Sequence, residues 1–251
     1  QTCALPIWGE LRVSRLRETG VGADRALALV EDVTERLQAR RELERERNLS
    51  RALGEVLSLL VEPVQTPEAV YEAVCRIAVE RGGLGLAWIG EADPDGWIVP
   101  RSVFGRATDY LDEIRVTADR HHPEGRGPSG RAFRENRPVV VQDILGDPSM
   151  ALWHEAAEKH NLRASACLPL FRRGAVTGTL NVYADRSDFF SGALVHLLNQ
   201  VSEAISTLLD RFDRETEHNA LRAERDRMAE ALEQSGDLVW IADPRGRIVY
   251  I

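Results

Sequence analysis

Few side chains in this 251-residue chain have the chemistry of a catalytic or metal site. The three cysteines, Cys3, Cys75 and Cys167, are too few and too scattered for a disulfide framework or a zinc site. His121 and His122 are adjacent, so in an extended segment their side chains point to opposite sides, and no third ligand has metal-site spacing. Cys75 and Cys167 each lie in an apolar pattern, which is typical of small buried side chains.

Two further segments have a chemical and a structural interpretation. Gly125–Gly130, sequence GRGPSG, could act as an anion cradle at a helix N-terminus. It lacks the phosphate-loop pattern. We therefore favour a turn shaped by its glycines, with Pro128 starting a helix. His218 lies in a predicted helix and lacks the H-E-x-x-x-P stretch of a phospho-acceptor helix. We therefore interpret His218 as a solvated side chain.

Composition narrows the class of protein. The formal net charge is −8, which argues against the basic stripe of a nucleic-acid-binding protein. No uncharged apolar run approaches the roughly 20 residues that span a bilayer. We expect a cytoplasmic protein with no membrane segment, and the residues indicate no particular cofactor.

The N-terminal part predicts two strands followed by a charged helix. The strands lie within residues 8–34 around a Gly-containing turn. Asp32 and Glu35 resemble a capping box, which predicts a helix over about 33–60. Its second half carries apolar residues at the 4-3-4 spacing of an a/d seam: Leu49, Leu53, Val56 and Leu60.

Residues 62–192 predict a block with strands at its centre and helices at both ends, which is the α+β class. Asp93–Gly96 predicts the turn of a hairpin, and residues 110–127 predict a weak strand leading into a polar loop. The other predicted elements are helices in 67–83, 128–136 and 147–161, a brief strand in 138–144, and two strands joined at Arg173-Gly174.

A second long helix is predicted from Phe189 to about residue 234. Its apolar stripe is spaced 4-3-4-3-4, and we expect it to form a parallel homodimer seam: Leu194, Leu198, Val201, Ile205, Leu208 and Phe212. Beyond it the register fails, since Leu221, Met228 and Leu232 are out of phase. The chain ends in a predicted strand, turn and strand.

Several motifs resemble those of GAF domains in bacterial signalling proteins: Ala87-Trp88-Ile89-Gly90, Pro123 to Gly130, Arg137-Pro138-Val139-Val140, Asp147-Pro148 with Trp153, Ser165 to Leu170, and Gly178 to Ala184. Asp32-Val33-Thr34-Glu35-Arg36 resembles the end of a PAS domain, and the last residues resemble the beginning of another. The expected organisation is a cloning or assembly scar at 1–7, the end of a PAS domain at 8–34, a linker helix at 35–60, a GAF domain at 55–210, a second linker helix at 211–232 and the start of a second PAS domain at 233–251.

The resemblance implies a GAF-type antiparallel sheet flanked by helices, with long coiled-coil-like helices at both ends. It implies a sensory module that relays small-molecule binding to an output domain outside this chain, such as an enzyme of cyclic-di-GMP turnover or a histidine kinase. The site would lie between the sheet and a layer at residues 119–160, with ligand contacts from Trp88, Arg126, Trp153, His154 and Cys167.

Two alternatives stay open beside the sensory interpretation. One is a GAF domain without a ligand that acts as a dimerisation spacer. The other is an enzyme, against which the missing cysteine constellation and the absence of an acid/base or phosphate-loop motif argue. The two cysteine-dependent GAF activities, bilin attachment and free methionine sulfoxide reduction, fit poorly because only Cys75 and Cys167 remain once the expected scar is excluded.

Overall fold

The computed structural model describes residues 9–16, 25–59, 66–234, 241–242, 245 and 248–250. Within these ranges no helix has both the length and the apolar character needed to cross a membrane.

Short hairpins lie at the two ends of the chain. Strands β1 (Gly9–Leu16) and β2 (Arg25–Asp32) pair antiparallel, as the sequence predicts. Strands β8 (Ile241–Ala242) and β9 (Ile248–Tyr250) form a second two-stranded sheet near the C-terminus. The expected scar lies outside the described residues.

The first long helix, α1, spans Thr34–Ser58. Its N-cap is Val33 rather than Asp32, and no side-chain hydrogen bond caps the helix, so the predicted capping box is wrong. Asp32 is the last residue of β2, where it pairs with Gly9, and it lies one residue before the N-cap position. Leu53 and Val56 of the predicted seam pack against the core of the same chain. Leu60 and the Leu49 side chain lie outside what the structure describes.

A five-stranded antiparallel sheet forms the centre of the domain, with strand order β4-β3-β7-β6-β5. The hairpin turn at Asp93–Gly96 is confirmed, because Asp93 Oδ1 accepts hydrogen bonds from the backbone N–H groups of Asp95 and Trp97. The strands are β3 (Leu86–Ala92), β4 (Ile98–Gly105), β5 (Val139–Val141), β6 (Ala164–Arg172) and β7 (Ala175–Ala184).

One face of the sheet, here called the helix face, packs against α2 (Pro67–Glu80), α1 and the last helix, α6 (Gly192–Gln234). The α6 stripe lies in this core: Leu194, Leu198, Val201, Ile205 and Leu208 are buried within a single chain. The expectation that this stripe forms a dimer seam is therefore wrong. A 4-3 apolar spacing fits any helix that buries one face, and here the sheet covers it.

The opposite face, here called the loop face, is covered by α3 (Tyr110–Glu113), α4 (Pro128–Glu135) and α5 (His154–Lys159) with their connecting turns. The weak strand predicted after residue 110 is wrong, because α3 begins there. Only Thr117 pairs with the sheet edge, through an isolated bridge to Trp97. The predicted helix near 147–161 begins with a 3₁₀ turn at Pro148–Trp153 and continues as α5.

Helices α1 and α6 run in the same direction where they touch. Asn48 of α1 shares a cavity with Phe189, just before α6, whereas Val56 shares another with Val201. The first half of α1 and the last half of α6 therefore extend from opposite ends of the domain. Every residue of α6 from 214 to 231 is exposed in the single chain.

Candidate functional site

The loop face of the sheet carries a set of buried polar groups. Strand alternation places Trp88, Asn181 and Cys167 in one row, since Asn181 pairs with Trp88 on β3 and with Cys167 on β6. Tyr183 and Ser165, which pair with each other, lie in the next row. All five side chains are at least 97% buried.

Three of these side chains have a polar atom without a hydrogen-bonding partner within the described part of the chain, and one of these atoms is Trp88 Nε1. The amide nitrogen of Asn181 donates to the backbone oxygen of Thr179 at 3.1 Å and to its hydroxyl at 3.0 Å, but Asn181 Oδ1 accepts nothing. Ser165 Oγ is also unpaired. A buried polar group without a hydrogen bond costs about 1–3 kcal/mol of stability. The incomplete hydrogen bonding on this face therefore destabilises the domain.

Helix α4 covers this face at very short range. The Ser129 hydroxyl lies 3.4 Å from Cys167 Sγ, and Pro128 occupies the first helical position, as the sequence predicts. A Cβ at Gly130 would lie 2.5 Å from both Gly125 O and Thr117 O. Glycine at 130 therefore allows α4 to pack closely against the backbone of Thr117 and Gly125.

The Trp153 ring closes the other end of the same layer. A Cβ at Gly127 would lie 2.6 Å from Trp153 Cη2, and one at Gly125 would lie 1.8 Å from Asp119 O. These contacts support the glycine-shaped turn over the anion cradle.

A cavity of about 10 Å³ remains between this layer and the sheet. That is room for about one water molecule. Its walls include Tyr110, Ser129, Met150, Trp153 and Tyr183.

Two tyrosines form one wall of this covered cavity. The Tyr110 and Tyr183 rings meet edge to face, with centroids 5.4 Å apart and an interplanar angle of 66°. Burial raises the pKa of Tyr183 well above its usual value, and the neighbouring Tyr110 and Cys167 raise it further. Burial likewise raises the pKa of Tyr110. Both hydroxyls therefore stay protonated at neutral pH and serve as neutral hydrogen-bonding groups.

The two described cysteines lie on opposite faces of the sheet. Cys75 belongs to the helix-face core, and Cys167 lies under α4. Burial raises the pKa of each thiol to about 12, so neither is a thiolate at neutral pH. Both are free thiols.

The structure brings three of the five predicted ligand contacts to the loop face: Trp88, Trp153 and Cys167. Arg126 is exposed, and neither it nor His154 lines the covered cavity. The His154 ring nitrogen lies 3.1 Å from Asp147 O. No group of three or more His, Cys, Asp or Glu side chains that could hold a metal ion occurs among the described residues.

Sequence reasoning missed Ser165, Asn181, Tyr110 and Tyr183. A usable signal was present in the two apolar segments that became β6 and β7. Ser165 and Cys167 alternate with apolar residues, as do Thr179 and Asn181, and a period of two indicates one polar face on each strand.

The comparison with protein families identifies the fold and the family together. A GAF domain model matches residues 64–210, which is more than half of the chain. The chain belongs to the GAF domain family. The predicted α+β fold, with its antiparallel sheet and flanking helices, is confirmed for this GAF domain. A comparison with curated protein sequences gives no match.

Solved structures share this GAF fold at low sequence identity. The GAF domain of a phosphoenolpyruvate-protein phosphotransferase from Coxiella burnetii is 15% identical, with a TM-score of 0.55, covering 69% of this chain and 98% of its own. A GAF domain from A. aeolicus is 17% identical, with a TM-score of 0.51, covering 68% and 99%. Free methionine-R-sulfoxide reductase from Neisseria meningitidis is 18% identical, with a TM-score of 0.53, covering 66% and 91%.

In this GAF domain a polar ladder fixes α6 to strand β6. The α6 side chains involved are spaced 4-4-3 and therefore share one side of the helix. Ser202 Oγ donates to Pro169 O, Ser206 Oγ accepts from Phe171 N at 2.9 Å, Asp210 Oδ1 accepts from Arg173 N at 2.6 Å, and Asp213 pairs with the guanidinium groups of Arg172 and Arg173. The Arg172 guanidinium lowers the pKa of Asp213, so this carboxylate stays ionised.

Proposed function

We propose that this chain is a sensory GAF module in which a small molecule binds on the loop face of the sheet and changes the position of the flanking helices. The observation that carries the proposal is the pair of unpaired buried groups, Ser165 Oγ and Asn181 Oδ1, beneath α4. A ligand with complementary polar groups would satisfy both.

Ligand binding would require the covering layer to move, because the covered cavity holds only about 10 Å³. The contacts that must loosen are those of Ser129 with Cys167 and of Trp153 with Gly127. A ligand shifts such an equilibrium only by its difference in affinity for the two states. The unpaired groups supply that difference, since they gain partners only in the open, bound state.

The polar ladder is the proposed route from the site to α6. Ser165 and Cys167 face the site from β6, and the same strand continues to Pro169 and Phe171, which are bonded to α6. A displacement of β6 would therefore shift α6, whose last half extends away from the domain. The output domain would follow that helix, outside this chain.

The fold likeness to methionine sulfoxide reductases suggests an enzyme as the second candidate. The described thiols argue against it here. Cys75 and Cys167 lie on opposite sides of the sheet, and burial raises the pKa of each to about 12. Thiol redox catalysis needs an accessible thiolate, and these two cysteines supply none. We therefore propose a regulatory role without catalysis.

We also propose that the GAF domain lies between the end of one PAS domain and the start of another, in a cytoplasmic homodimer paired through its flanking helices. Support comes from the exposed half of α6, where Leu221 and Met228 are 61% and 59% exposed and seven residues apart. That spacing fits a paired helix, and a single exposed helix of this length is marginal in water.

Native mass spectrometry of the full chain, purified under mild conditions, tests the sensory proposal. A co-purifying molecule below about the size of a nucleotide is expected, and it should be absent from the Ser165→Val, Asn181→Leu double variant. The Ser202→Ala variant is the matched control and should retain it. The wild-type chain is also screened against a metabolite library. If no small molecule co-purifies with it and none from the library binds, the module is the ligand-free spacer instead.

A further inference from the structure

A second and larger cavity lies at the edge of the sheet, where Trp88 of β3 and residues at the start of β4 line it. Its volume is about 210 Å³, and it opens between the start of β4 and the segment that follows α3. It adjoins the covered cavity, because Ile114 and Val116 line both.

The walls of this edge cavity are held by hydrogen bonds. Ile98 N donates to Val116 O at 2.9 Å, and Ala118 N donates to Gly96 O at 2.7 Å. Trp97 N donates to the Asp93 carboxylate at 2.8 Å. Both sides of the opening are therefore fixed in position, so a ligand would meet a largely preformed site.

The floor of the edge cavity is apolar and aromatic. Trp88, Ile98 and Val116 line it and are at most 8% exposed. A Cβ at Gly90 would lie 2.5 Å from Trp88 Cζ3 and 2.7 Å from Ile98 Cγ2, so glycine at 90 makes room for the Trp88 ring. An apolar floor of this kind favours a flat hydrocarbon ring.

Among the described residues that line the edge cavity, Arg115 has the one charged side chain. Its Cζ atom lies 4.1 Å from the centroid of the Trp97 ring, a cation–π contact that holds the guanidinium at the cavity wall. Trp97 is in turn flanked by the His122 ring, with centroids 5.5 Å apart. None of the lining residues in the described part of the chain carries a carboxylate.

We propose that this edge cavity binds a small aromatic carboxylate, with the ring against Trp88 and Trp97 and the carboxylate paired with Arg115. The planar guanidinium suits a carboxylate because it donates two parallel hydrogen bonds. The volume fits one ring with its substituents. The edge cavity adjoins the loop-face site, but it is lined by Trp97 and Arg115, which do not line the covered cavity, so its test does not depend on the sensory proposal.

Titration of the full chain with benzoate, followed through the indole N–H signals of its tryptophans by NMR, tests this site. Benzoate should shift the signals of Trp97 and Trp88 in a saturable way. Benzamide, which keeps the shape without the charge, should bind about tenfold more weakly, because its hydrogen bond to the guanidinium is not charge-assisted on both sides. Benzylamine should not bind, because its ammonium group and the Arg115 guanidinium repel each other.

Variants locate the charge that recognises benzoate. Arg115→Gln should weaken benzoate binding about tenfold, to the level of benzamide, while Arg101→Gln should not. Arg101 is the matched control, an exposed arginine on β4 that pairs with Glu91 outside the cavity. Equal binding of benzoate and benzylamine, equal losses in the two variants, or a shift confined to Trp153 would overturn the proposal. So would the absence of any saturable shift at Trp97.

Discussion

The two faces of the central sheet differ in whether their buried polar side chains are hydrogen-bonded. On the helix face, Ser202 and Ser206 of α6 are buried and hydrogen-bonded to the backbone. On the loop face, Ser165 Oγ and Asn181 Oδ1 are just as buried and have no partner in the described structure. The helix face is thus built as a permanent core. On the loop face, the unpaired atoms lower the stability of the domain, and a ligand that bonds to them would remove this cost. Functional sites commonly carry a cost of this kind.

The largest expected effect tests whether the helix face is a single-chain core. Ile205→Asp should lower the free energy of unfolding by more than about 4 kcal/mol, because it places a charge in an apolar core. Thermal unfolding followed by circular dichroism measures this. The matched control is Leu152→Asp at a side chain that is 56% exposed, which should leave the domain's melting temperature nearly unchanged. Folded monomers of Ile205→Asp would contradict the core assignment and restore the dimer seam.

Each face of the sheet has one buried thiol, so the loss of stability at alkaline pH can be compared between the two faces. Burial raises the pKa of Cys75 and of Cys167 from 9.0 to about 12, so the folded state keeps protons that the unfolded state releases. This stabilisation is complete below pH 9 and is lost as pH rises toward 12. Between pH 7 and 10.5, ionisation of each thiol in the unfolded state should lower the free energy of unfolding by about 2 kcal/mol.

Urea unfolding at pH 7 and at pH 10.5, in a Cys3→Ser background, isolates these thiols. Cys75→Ala and Cys167→Ala should each be less stable at pH 7, yet lose about 2 kcal/mol less on going to pH 10.5. If only Cys75→Ala reduces the alkaline loss, Cys167 is reached by solvent in the native state and the loop face is open.

Two glycines test how tightly the loop face is closed. Gly130→Ala should destabilise the domain by about 1–3 kcal/mol, since its Cβ would lie 2.5 Å from two backbone oxygens. Gly54→Ala, in α1 with nothing within 4 Å of its Cβ, should instead stabilise by about 0.5–1 kcal/mol. Chemical denaturation of both variants measures the difference. A neutral Gly130→Ala would mean that α4 does not rest on the loop beneath it.

The smallest expected effect is the change in stability when a buried serine is replaced by alanine, and it should have opposite signs on the two faces. Ser165→Ala should stabilise the domain by about 1 kcal/mol, because it removes an unpaired buried hydroxyl, whereas Ser202→Ala should destabilise it by a similar amount, because Pro169 O loses its donor. Paired denaturation curves at one pH provide the measurement. The same sign for both variants would remove the distinction between the faces.

The sequence by itself determined most elements and their order. Turn chemistry identified the hairpin at Asp93–Gly96, Pro128 identified the start of α4, and apolar runs identified β6 and β7. These features are local, since each depends on backbone preferences or on the apolar period of a few neighbouring residues. The motif resemblance identified the GAF domain.

Only the tertiary structure decided which surfaces the apolar stripes cover. The spacing of Leu194, Leu198 and Ile205 is the same for a dimer seam and for a helix packed on a sheet, and the sheet that covers them comes from distant parts of the chain. The structure likewise revealed the unpaired state of Ser165 and Asn181, because a missing partner depends on every element packed nearby. Period and propensity are local quantities, whereas burial and hydrogen-bond satisfaction depend on contacts between residues far apart in sequence.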